Sequence, residues 1–97
     1  MDVIFTPRAE RQIDALHSYI TERSGFESRA NGYIQRIVDY CLSLRTFPLR
    51  GTARDDILPG LRLIGFERRV MIAFKVEPDL ILIEGIFYGG QDFEAAF

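Results

Sequence analysis

Apolar residues recur along the chain with two periods, and the switch between them divides it. Ala9, Ile13, Leu16 and Ile20 are spaced four, three and four apart, the stripe of an amphipathic helix running to about Arg23. Thr6 offers an N-cap oxygen ahead of it, and Pro7 fills the first helical position, where a missing N–H does no harm. Before that, Asp2 to Thr6 has the look of a short strand, with Val3 and Phe5 on one side and Ile4 on the other. Ser24-Gly25 breaks the helix, and Ser24 with Glu27 three residues later fits a capping box that opens a second one. Its stripe is Ala30, Tyr33, Ile34, Ile37, Val38, Cys41 and Leu44, ending before Pro48. So short a link forces the helices into an antiparallel hairpin.

From Phe47 to Gly60 the helical period is lost. The stretch FPLRGTARDDILPG carries two prolines and two glycines, and a loop of this length in a small domain often serves function. Three strand-like runs follow: Leu61 to Phe66, Arg69 to Val76 and Asp79 to Tyr88, joined by turns short enough for hairpins. QDFEAAF, after Gly89-Gly90, suits a last helical turn. The predicted order is β-α-α-β-β-β over residues 1–97, one domain. The class is α+β: an antiparallel helical hairpin on one face of a mostly antiparallel sheet.

Alternation then assigns the faces. Val70, Ile72, Phe74 and Val76 share one, against Arg69, Met71, Ala73 and Lys75. In the last strand Ile81, Ile83 and Phe87 oppose Leu80, Leu82, Glu84, Ile86 and Tyr88, although a bulge at Gly85 would shift that parity. The open face is expected to hold Arg62, Arg69, Lys75, Glu84 and Tyr88, with an apolar set of Ile64, Met71, Leu80, Leu82 and Ile86. That is much apolar surface for a lone chain, and the sheet edges are also open, so a partner is expected to cover it.

Composition narrows the class. With 47% hydrophobic and 27% charged residues the chain is too apolar for disorder, and no apolar run approaches the ~18 residues of a membrane span. No secretory signal opens the sequence, so the expected compartment is the cytoplasm and no membrane partner is foreseen. A single cysteine makes no internal disulfide and no metal cluster, and no cofactor is implied. The net charge of −2 argues against a simple nucleic-acid binder, but it is uneven. Residues 45–75 hold seven basic groups against three acidic ones, a local +4 on a body of −6.

Taken together, TPRAERQIDALHSYI, the FP–G–RDDILPGLR loop, the following hairpin and the ending GIFYGGQDFEAAF resemble the ParE-type toxins of the RelE/ParE superfamily. The resemblance spans essentially the whole chain, and its most specific part is Asp55 to Arg62. It implies the toxin half of a bacterial type II toxin–antitoxin system. ParE-type toxins are associated with inhibition of DNA gyrase, and RelE-like relatives cleave mRNA on the ribosome. A ParD-like antitoxin would hold the toxin inactive in a hetero-oligomer. The chain has no DNA-binding motif of its own, so any DNA contact would come through that partner.

On this reading Arg54, Arg62, Arg68, Arg69 and Tyr88 are the candidate target contacts, and the antitoxin would cover Ile64, Met71, Leu80, Leu82 and Ile86. A metal-independent nuclease is the alternative. It needs a base, a phosphate-binding cation and an acid, for which Arg62, Lys75, Glu84 and Tyr88 are the available set. Gly85 stands where many relatives place an arginine, which weakens that alternative, whereas Tyr88 is a possible acid. A decayed toxin that only binds its antitoxin is a third reading. Blander roles stand beside these: Arg62 pinning the loop through Asp55 or Asp56, Tyr88 as a rim aromatic, His17 as a surface residue, Cys41 as core.

Overall fold

The computed structural model covers all 97 residues. Strand β1 (Asp2–Phe5) leads into helices α1 (Pro7–Ser24) and α2 (Glu27–Ser43), followed by β2 (Thr52–Ala53), β3 (Leu61–Phe66), β4 (Val70–Val76) and β5 (Leu80–Tyr88). A single 3₁₀ turn, Glu94–Ala96, ends the chain. The sheet order is β1-β5-β4-β3-β2, antiparallel throughout except for the parallel β1–β5 pair. The expected two-layer α+β sandwich is what forms, with five strands rather than four. β2 is the addition. Two residues inside a Pro- and Gly-rich stretch are too short to show any alternation.

The first helix starts as its sequence dictates. Thr6 Oγ1 accepts from the Ala9 N–H at 3.1 Å, Pro7 takes the first position, and Gly25 closes the end with a left-handed φ of 77°. The capping box does not form. Ser24 is still in α1, its Oγ accepts from the Phe26 N–H at 3.1 Å, and α2 begins after Phe26 with no side-chain cap. Gly25 has already set the chain's direction, so the hydroxyl serves the link rather than the new helix. His17 Nε2 lies 2.6 Å from Asn31 Oδ1, a polar tie between the two helices.

Ala9, Leu16, Ile37, Cys41 and Leu44 from the hairpin pack on Val70, Ile72, Phe74, Ile81, Ile83 and Ile86 of the sheet. Burial pushes the Cys41 thiol up to about 12, so it behaves as a small core side chain and not as a nucleophile. On the far face Leu61, Leu63, Ala73 and Phe87 form a second, smaller cluster. It is covered by the chain's own loop (Ile57, Leu58) and tail (Phe93, Ala96, Phe97).

A bulge decides which residues point where. Ala73 pairs with Gly85, but Phe74 pairs with Ile83, so Glu84 is the extra residue. Beyond it the parity of β5 flips. Ile86 and Tyr88 join the helix-side core, and Phe87 turns to the other face, the reverse of what simple alternation predicts. A further correction concerns β3, whose sequence LRLIGF is apolar on both sides and so gives no parity. Its register, Arg62 with Phe74 and Ile64 with Ile72, puts Arg62 and Ile64 on the helix side. Arg69 lies in the turn and not in the strand. Strand pairing with β1 stops at Phe5 with Ile83; Thr6 still donates to the Ile83 and Glu84 carbonyls, and two glutamines serve N–H groups farther along that edge of β5. Gln12 Oε1 accepts from Ile86 N–H at 2.7 Å and Gln91 Oε1 from Tyr88 N–H at 2.8 Å.

Candidate functional site

The positive segment does not form one free patch. Arg54 makes a fork of hydrogen bonds to Asp56, at 2.9 and 3.0 Å, and reaches Glu94 at 3.2 Å, tying loop to tail. Those bonds hold the Asp56 carboxyl below the usual carboxylate range. Arg62 donates to the carbonyls of Arg50 at 2.9 Å and Leu49 at 3.0 Å. It therefore pins the loop through backbone oxygens, while Asp55 accepts from the Gly60 N–H and Asp56 belongs to Arg54. Arg68 stands exposed at the tip of the β3–β4 turn. Arg69, beside it, faces a different neighbourhood.

That neighbourhood is a hollow of about 620 Å³ between the start of α2, the β3–β4 turn and the end of β5. Arg29, Arg36, Arg69, Glu67, Tyr33 and Tyr88 are among its walls. Arg36 pairs with Glu67 at 3.3 Å and lies over the Tyr33 ring at 5.1 Å. Tyr33 meets Tyr88 edge-on at 6.3 Å, and Tyr88 meets Tyr19 at 5.7 Å, a run of rings that fixes Tyr88 in place. The Tyr33 hydroxyl is shielded from solvent and has no hydrogen-bond partner. Burial above all, then Tyr88 and Glu67, raise its pKa, so it stays a protonated donor.

The second face of the sheet divides in two. Met71 is under the tail with Phe87 and Leu63. Leu80 and Leu82 lie outside that cover, and the register sets Leu82 beside Ile4 of β1 and Lys75 of β4. Ile4 is 46% exposed and Met1 50%, so an apolar strip runs along the open β1 edge.

The four nuclease candidates are scattered. Arg62 lies on the helix side of β3 and Lys75 on the other side of β4. Tyr88 is opposite Val70, five residues from Lys75, which is roughly 17 Å along a strand. Glu84 sits in the bulge. No three His, Cys, Asp or Glu side chains cluster as metal ligands would, and no helix is long and apolar enough to cross a membrane.

A family model described as the ParE toxin of the type II toxin–antitoxin system, parDE, matches residues 3–93. The chain belongs to the ParE toxin family. A solved structure of the chromosomal ParDE toxin–antitoxin system from P. aeruginosa is similar to it, with a TM-score of 0.78 and 26% identity. The match covers 92% of this chain and 96% of that one. No curated protein sequence matches.

Three side chains of this ParE toxin's hollow escaped the sequence reading as candidates: Arg29, Tyr33 and Arg36. Their signal was present. They fall at i, i+4 and i+7 of α2, a stripe bordering the apolar one. Tyr33 was absorbed into the core pattern, and arginines on a helix are ordinarily solvated.

Proposed function

We propose that this ParE toxin acts in the cytoplasm on DNA gyrase and is held inactive by a ParD-like antitoxin. The toxin role rests on the family; the choice of gyrase over mRNA follows the resemblance and is supported by the scatter of Arg62, Lys75, Glu84 and Tyr88. Metal-free RNA cleavage needs its base, cation and acid within reach of one phosphate. Groups on opposite faces, or roughly 17 Å apart along a strand, do not meet that demand. Of the expected target contacts, Arg68, Arg69 and Tyr88 remain the best placed, because Arg54 and Arg62 are spent on holding the loop.

For the antitoxin, Leu80 and Leu82 with Ile4 supply a strip that an amphipathic segment would cover, and the free edge of β1 accepts an added strand. Ile86 belongs to the main core, and Ile64 and Met71 pack half-buried against the chain's own two clusters, so these three are already engaged by the chain itself.

The test is expression of the chain alone, followed by assays of purified gyrase and of ribosome-bound mRNA. Inhibited supercoiling with induction of the DNA-damage response is the expected result. Site-specific cleavage of mRNA by the purified chain would overturn it.

A further inference from the structure

Of the four charged side chains around the hollow, only one ion pair forms. Arg36 and Glu67 satisfy each other. Arg29 lies against the Phe26 ring at 5.2 Å and Arg69 in the turn, and neither meets a carboxylate. The Tyr33 hydroxyl, also unpartnered, is close enough to feel the charges of Arg36, Arg69 and Glu67. Arg29 and Arg69, two cations with no carboxylate partner, thus line one concavity in which Arg36 and Glu67 already satisfy each other.

We propose that this hollow receives a carboxylate side chain from a protein partner, gripped by Arg29 and Arg69. A guanidinium presents a planar fork that matches a carboxylate, and the Tyr33 and Tyr88 rings give the hollow an apolar wall beside it. A nucleic-acid strand fits less well. With Arg29, Arg36, Arg69 and Glu67 set aside, nine basic side chains face thirteen acidic ones, so a run of phosphates leaving the hollow meets a body of net −4. An acidic residue on an otherwise apolar segment meets no such repulsion. The inference rests on the toxin reading only in supposing that the partner is a protein.

The full chain, isotope-labelled, is titrated with a short blocked peptide carrying two glutamates, with its glutamine counterpart, with inorganic phosphate and with a short single-stranded RNA. The glutamate peptide is expected to give saturable shifts of the Arg29 and Arg69 side-chain Nε–H resonances, and the glutamine peptide none. Arg29→Gln and Arg69→Gln should each weaken the peptide by about tenfold, the scale of one lost charge-assisted contact. Arg45→Gln, past the far end of α2, should leave it unchanged. Arg69→Lys keeps the charge but not the fork, and is expected to fall between. A peptide that shifts nothing, or an RNA that binds more tightly at physiological salt, overturns the proposal. Gyrase inhibition by a chain that ignores the peptide would sink this inference and leave the toxin reading standing.

Discussion

Gly85 shows how one residue can be misjudged as a missing group. A Cβ built there would lie 2.5 Å from the Phe87 Cε2 atom and 3.3 Å from Gln12 Oε1. Phe87 is 5% exposed and packed under Phe93 and Phe97, so its ring has little room to give. The glycine is there because the bulge brings the Phe87 ring against the backbone. An arginine at this position would have to break that packing before it could contact a phosphate. Gly85→Ala is expected to destabilise the chain by about 1–3 kcal/mol, the usual range for overpacking a core. Urea unfolding measures it, and a variant as stable as the parent would mean that the bulge relaxes freely.

Among elements, the helical hairpin and the strands β3 to β5 were legible, because stripes of twelve and fifteen residues and hairpin-length turns leave few alternatives. Face assignment was legible in β4, where Val70, Ile72 and Phe74 alternate with Met71 and Lys75. It failed past the bulge in β5, where one inserted residue reverses every later side chain, and in β3, whose two faces are both apolar. The hollow was hidden for another reason: its walls come from α2, a turn and β5, and only the folded chain joins them. The turn itself carries strain that the sequence did not advertise. Glu67 and Arg68 have φ of 47° and 64°, the left-handed region that glycine occupies at no steric cost. Arg68→Gly should therefore stabilise the hairpin by roughly 0.5–1 kcal/mol, raising the melting temperature by a few degrees. Toxicity supplies a second readout. A variant that melts higher yet no longer arrests growth marks Arg68 as a target contact, and one that melts lower refutes the strain argument.

At the scale of the whole molecule, a sheet with two faces is covered from three sources. The helices take one face, and the loop and tail take half of the other. What they leave is the strip at the β1 edge, where Ile4 is exposed and Leu80 and Leu82, half-buried, belong to neither cluster. A strip of this kind beside an unpaired strand edge invites association, and a toxin stored with its antitoxin would have it covered. Loss of one well-buried leucine contact is worth about 1.5–3 kcal/mol, which corresponds to roughly tenfold to a hundredfold in affinity. Leu82→Lys, which also sets a second cation beside Lys75, is therefore expected to weaken the antitoxin complex by at least that much with the melting curve of the free chain unchanged. Met71→Lys gives the contrast: under the tail with Phe87 and Leu63, it should lower stability first and affinity only as a consequence. Calorimetric titration of both variants with an antitoxin that binds the parent chain, each paired with a thermal melt, separates the two cases. Unchanged affinity in Leu82→Lys would show that the antitoxin covers some other surface.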